Sequence, residues 1–220
     1  MRTDDRVERA GVLYERAVFG GDASALATAE EDLDMVEATL ALARGRIVHA
    51  RFLVEGKEDA DELSSFARAA QLFQKLGDRR GEGDALFWIG CFHQVVRQDN
   101  AAAVPLLERS RDLALQVGDQ LTLSYALRHL GIAEHTAGRL DLARHLLEES
   151  VRLRREIGFM PGVAANLVGL AYIAAGEGRR DEALAMLEEA STIAQTSGAH
   201  GVSRSIEEAQ NSLSLVEGAE

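Results

Sequence analysis

The stretch LGIAEHTAGRLDLARHLLEES, Leu130 to Ser150, returns 40 residues later as LAYIAAGEGRRDEALAMLEEA, Leu170 to Ala190, with eight of its 21 positions unchanged. The shared residues are Leu130/Leu170, Gly138/Gly178, Arg139/Arg179, Asp141/Asp181, Ala143/Ala183, Leu147/Leu187, Glu148/Glu188 and Glu149/Glu189. Leucines, small residues and turn formers build structure and seldom do chemistry, so the repeat speaks first to architecture. Each copy reads as two amphipathic helical stretches joined by a polar turn, in which Gly can end one helix and Asp or Asn can begin the next.

The period extends on both sides. KLGDRRGEGDAL at Lys75, QVGDQLTLSYAL at Gln116, EIGFMPGVAANL at Glu156 and TSGAHGVSRSIE at Thr196 align on Gly77, Gly118, Gly158 and Gly198, spaced by 41, 40 and 40 residues. The turns VVRQDNA, TAGRLDLA and AGEGRRDEA divide these units into helix hairpins. The first third fits more loosely, with Gly45 to Val54 ending a long helix, EGKEDADE as the turn and Leu63 to Leu76 as the partner. Before it, ERAGVLYERAVFGGDASALATAEED reads as one more hairpin turning at Gly20, Gly21 and Asp22. The expected layout is a single domain over residues 1–220: a degenerate hairpin at 1–35, repeats at 36–77, 78–118, 119–158 and 159–198, and one last helix at 199–220. That makes about ten hairpin helices and a further helix.

Composition agrees with an all-α chain. Only Pro105 and Pro161 interrupt 220 residues rich in Ala, Leu, Glu and Arg, and strand-like alternation is missing. Thirty-six acidic against 24 basic residues give a net charge of -12, which repels phosphate backbones and anionic headgroups and argues against nucleic acid and membrane partners. The single cysteine, Cys91, cannot form an intrachain disulfide, the start MRTDDRVERAG lacks the apolar core of a secretory signal, and no run approaches a membrane span. These features point to the cytoplasm.

ALRHLGIAEHTAGRLDLARHLLEESVRL, with its leucine-glycine pair, Gly-Arg turn, following alanine, leucines and Glu-Glu, resembles a tetratricopeptide repeat. Copies near 40 residues exceed the usual period of roughly 34, and resemble the longer form found in sensor portions of bacterial regulators and in kinesin-light-chain-type adaptors. The resemblance covers Asp78 to Gly198 well and thins toward the N-terminus. It implies a right-handed superhelical solenoid of helix hairpins with a C-terminal capping helix, the first helix of each hairpin lining a concave wall. Gly90, Gly131 and Ala171 take the small-residue position of the first helix, with Ala143 and Ala183 opposite on the second; His49 departs from this pattern.

Carried over from the family, the inner face takes Arg46, Ala50 and Leu53; Phe87, Cys91 and Gln94; Arg128, Ile132 and His135; and Val168, Tyr172 and Ala175, with Tyr125 joining them. The spacing i, i+4, i+7 places each trio on one helical stripe. Aromatic and aliphatic surface with two arginines suits an amphipathic ligand, in particular a protein or peptide partner carrying a carboxylate. The same apolar residues serve equally to pack neighbouring helices.

Catalytic and cofactor signals are missing. No two of the six histidines, His49, His93, His129, His135, His145 and His200, have i, i+4 spacing, which leaves no metal site and no cofactor expected. No phosphate loop, nucleophile elbow or dinucleotide fingerprint is present. Cys91 paired with His135 or His129 is the one nucleophile to consider, and a lone helix cysteine is most often a small buried hydrophobe. AEEDLD and KEDADE read as solvated helix starts, and RLRRE, with Arg152, Arg154 and Arg155, lies at the negative end of a helix. The leading expectation is a noncatalytic binding module. The alternatives are a sensor for a small amphipathic molecule or signal peptide, and an enzyme centred on Tyr125, Arg128, His135 and Cys91. At the end of the chain, Val202, Ile206, Leu213 and Val216 form an apolar stripe expected to cap the helix Asp181 to Gln195 and to shield Leu184 and Leu187 at least in part.

Overall fold

Helix-ending glycines set the frame of the structure. Gly118 and Gly158 adopt φ of 67° and 72°, the left-handed conformation that closes a helix without a Cβ clash. A computed structural model describes residues 3–215, and among them every regular element is helical. The chain divides after Val117 into two compact units.

The first unit contains α1 (Thr3–Gly20), α2 (Ser24–Glu55), α3 (Ala60–Leu76), α4 (Arg79–Cys91) with a π-helical turn at Phe92–Val96, and α5 (Asn100–Val117). Consecutive helices pack on each other as hairpins. Phe66, Leu72 and Phe73 of α3 meet Ala38 and Leu42 of α2 and Ala85 of α4 in one buried cluster. Asp59 and Asp78 cap α3 and α4 by accepting backbone N–H groups, which satisfies donors that the helix itself leaves open.

The expected layout required two helices where α2 is one. Between Ser24 and Glu55 no proline and only one glycine, Gly45, occur, so nothing stops the helix, and its 32 residues pack against both α1 and α3. Among the described residues one helix fewer than expected results. The close approach of α2 to α3 is also shifted: a Cβ on Gly45 would lie 2.5 Å from the Phe66 ring, so Gly45, one turn before His49, is the position that must stay small.

The second unit contains α6 (Gln120–Thr136), α7 (Leu140–Glu156), α8 (Met160–Gly176), α9 (Arg180–Ser197) and α10 (His200–Leu215). Its core gathers Leu147 of α7, Val163, Leu167 and Ile173 of α8, Leu187 and Ile193 of α9, and Ile206 and Leu213 of α10. A Cβ on Gly131 would meet Leu147 Cγ at 3.1 Å and the Ala143 carbonyl at 3.2 Å, so the small residue lets α6 and α7 touch. The N-cap positions of α7 and α9 are Arg139 and Arg179, without side-chain caps; Asp141 and Asp181 stand instead in the first turn, where a carboxylate favours the positive helix end.

Helix α10 packs on α8 as well as on α9. Ile206, Ala209 and Leu213 are its buried residues and Val202 is partly covered, while Val216 lies outside the described residues. Leu187 is fully buried but Leu184 keeps 38% exposure, because α10 lies toward α8 and leaves that side of α9 open.

Candidate functional site

Helices α6, α7 and α8 enclose a polar island in the apolar second unit. Arg154, 1% exposed, donates from Nη1 to the Gly162 carbonyl at 2.8 Å and to Asn166 Oδ1 at 2.9 Å, and from Nε to Ser124 Oγ at 3.3 Å. Asn166 Nδ2 donates to Ser150 Oγ at 2.7 Å, and Ser150 Oγ to the Ser124 carbonyl at 2.6 Å. The guanidinium lies 4.9 Å from the Tyr125 ring centre and 5.4 Å from that of Phe159, so aromatic faces replace part of its lost water. Its Nη2 meets no acceptor. Burial, with the Arg128 charge adding to it, pulls the Arg154 pKa down to about 9, which still leaves it a cation at neutral pH.

Arg128 links this island to an open pocket. Its Nη1 donates to the Ala165 carbonyl at 2.8 Å and to Asn166 Oδ1 at 2.9 Å, which fixes the side chain across α8. The pocket, 330 Å³, is lined by Arg128 of α6, by Ala165, Val168, Gly169 and Tyr172 of α8, and by Gly201, Val202, Ser205 and Glu208 of α10. Arg128, Val168 and Tyr172 of the sequence-derived set thus come together in one wall. Tyr125 packs its ring on Phe159 at 5.7 Å, Ile132 is half-buried and His135 is exposed at the end of α6. The α10 wall carries no signal in the repeat frame, because the period breaks at Gly198.

In the first unit, Phe87, Cys91 and Gln94 are buried, and Gln94 Nε2 donates to Asn100 Oδ1 at 2.9 Å. Arg46 pairs with Asp84 and lies 5.3 Å over Trp88, which meets Phe87 edge-on. Ala50 and Leu53 are exposed. His49 explains its own departure from the small-residue pattern. Its Nδ1 lies 2.7 Å from Glu62 Oε1 and its Nε2 3.8 Å from Cys91 Sγ, all three residues being buried. Burial holds the Glu62 carboxyl above the usual carboxylate range against the pull of His49, and Glu62 Oε2 has no partner. A thiol, an imidazole and a carboxylate in that order resemble an activated nucleophile, but the sulfur is 3% exposed and packed in the protein. The group reads as a polar latch between α2, α3 and α4.

Arg154, Asn166, Ser124 and Ser150 escape a search for exposed inner-wall positions. The repeat itself carries their signal: Arg154 stands where Ala114 and Ala194 stand, Asn166 where Ala85 and Ala126 stand, and Phe159 where Asp78 and Asp119 cap their helices. Of the three arginines in RLRRE only Arg154 is buried; Arg152 pairs with Glu149 and Glu156, and Arg155 with Glu189.

Stacked helix hairpins of this kind are the architecture of helical-repeat proteins, the tetratricopeptide repeats among them. Residues 88–156 match the tetratricopeptide repeat family, and residues 160–206 match the family Anaphase-promoting complex subunit 5; the chain carries tetratricopeptide repeats. No curated protein matches the chain significantly. Tetratricopeptide repeats are generally protein–protein interaction modules and typically noncatalytic. Among the described residues no helix is long and apolar enough to cross a membrane.

Proposed function

We infer that this chain is a noncatalytic binding module that holds a protein or peptide partner, and that the pocket between α6, α8 and α10 receives the partner's anchor. The observation that carries the reading is the composition of that pocket, with Arg128 fixed by its own hydrogen bonds beside the apolar surface of Val168, Tyr172 and Val202. A positioned guanidinium next to apolar surface suits a carboxylate attached to an apolar side chain, as at a peptide C-terminus. Glu208 on the facing wall disfavours a ligand that is only an anion, so the partner presents a donor as well. Tyr125, Ile132 and His135 extend the contact along α6.

The test is capture of the partner from native lysate, followed by titration of the captured segment against variants. Arg128→Ala and Tyr172→Ala should each weaken binding by about tenfold or more. Arg155→Ala, whose guanidinium pairs with Glu189, should leave it unchanged. Tyr172→Ala separates binding from folding, since Tyr172 is 38% exposed. Equal losses from Arg155→Ala and the two pocket variants would show that the partner sits elsewhere.

A further inference from the structure

Along α2, five apolar residues recur at strict intervals of seven: Leu26, Leu33, Leu40, Ile47 and Val54. All five are exposed, by 45, 46, 47, 58 and 87%. A heptad kept over four intervals is the pattern of a helix lying along another helix. The neighbours that α2 has in the first unit take other faces. Asp32, 1% exposed, faces α1 through Arg6 and Arg9. Gly45 and His49 face α3 through Phe66 and Glu62. The heptad stripe is left to solvent over about 42 Å of helix, and α1 adds a second exposed stripe of Val7, Tyr14 and Val18. Apolar surface of that extent is seldom left uncovered on a monomer.

The charges beside the stripe say what covers it. Four residues after each of its first four members come Glu30, Glu37, Arg44 and Arg51: two acids in the first half of the helix and two bases in the second. A helix with this pattern is complementary to itself when reversed. We propose that a second copy of the chain packs on this face, α2 against α2, antiparallel about a two-fold axis passing between Leu40 and Ala41. Glu30 then faces Arg51 of the second copy and Glu37 faces Arg44 of the second copy, and symmetry doubles each pair. A parallel arrangement would set the acidic half of the stripe beside the acidic half of the second copy's and the basic half beside the basic half, like against like. Arg44 and Arg51 make no ion pair among the described residues and line an open groove of 560 Å³ with Ala43, Ile47 and Val48 of α2 and Asp61 and Ser65 of α3. Glu37 is held at the surface by Arg68, at 2.6 and 3.0 Å, with its carboxylate half exposed toward a newcomer. The dimer is independent of the pocket in the second unit.

Sedimentation equilibrium on the full chain tests the inference. The expected species has twice the 23.8 kDa chain mass. Ile47→Glu, which places a carboxylate in the seam, should weaken the dimer by about a hundredfold with an unchanged melting profile of the monomer. Arg44→Glu should weaken it by about tenfold, and Arg44→Glu combined with Glu37→Arg should restore it to within about threefold, because the swapped charges face each other again across the axis. A monomer at every concentration overturns the proposal, including one in which the face takes a different protein. So does a dimer indifferent to Ile47→Glu, or one in which the double swap is weaker than the single variant.

Discussion

Arg154 and Asn166 are the residues in which one repeat departs furthest from its siblings. Alanine at the matching positions, Ala114 and Ala126, is buried within its own unit, with 2% and 0% exposure. Replacing one alanine alone with a buried guanidinium would strand a charge, which costs several kcal/mol. Replacing both lets Asn166 Oδ1 accept from Arg154, and Phe159, in place of a capping Asp, covers the cation. The three changes are therefore one device. Asn166→Ala should cost about 2–3 kcal/mol by leaving the guanidinium short of an acceptor, and Arg154→Ala a similar amount by opening a cavity and unpairing the Gly162 carbonyl. The double variant, which restores the alanines of the other copies, should be more stable than the sum of the singles predicts by about 1 kcal/mol or more. Urea denaturation of the four proteins measures this; strict additivity would mean that the residues do not act together. The forty-residue frame exposes such substitutions as anomalies, but that the residues at 154 and 166 meet is a matter of how α7 crosses α8, which spacing along one strand of sequence does not contain. Only the helix-end position of Arg154 could be read from RLRRE.

At the scale of the element, the helices were legible because their stops are chemical. Gly77, Gly118, Gly158 and Gly198 all take positive φ after a helix, where a side chain would be strained. Gln98 takes the same conformation, φ 54°, at the turn where the next two copies have Gly138 and Gly178. The long helix α2 was not legible for the converse reason: it has no stop, and a helix without one continues while neighbours cover it. Its hairpin register also moved, since His49 finds its partner in Glu62 and leaves the close approach to Gly45. In the clearer repeats the small position holds. Gly131→Leu should force α6 away from α7 and cost at least about 1 kcal/mol more than Glu148→Ala, an exposed change on the same hairpin. Thermal unfolding followed by circular dichroism decides it; equal midpoints would mean that Gly131 does not set the contact distance.

For the whole molecule, the acidic balance of 36 against 24 charges sets the tolerance for exposed apolar surface: long-range repulsion keeps copies apart until a complementary patch overcomes it. Within the second unit α10 covers the side of the α8–α9 hairpin that would otherwise stay open. Ile206, Ala209 and Leu213 close the core against α8 and α9, Arg180 Nη1 donates to the Leu213 carbonyl at 2.6 Å, and Val202, Ser205 and Glu208 form a wall of the pocket. One helix thus seals the core and completes the pocket. A chain ending at Gly198 should keep the remaining helices, so that its helical signal falls only by the share of α10. Its melting midpoint should drop, and its mass should rise beyond that of the full chain under the same conditions as uncovered core meets uncovered core. Carrying Ile47→Glu in both proteins removes the α2 face from the comparison and leaves any association to the new surface. The captured partner should bind the truncated chain at least about tenfold more weakly, since a whole pocket wall is gone. A truncated protein of unchanged mass and midpoint would show that α8 and α9 close the core without a cover. In that event, full retention of binding would also remove α10 from the site.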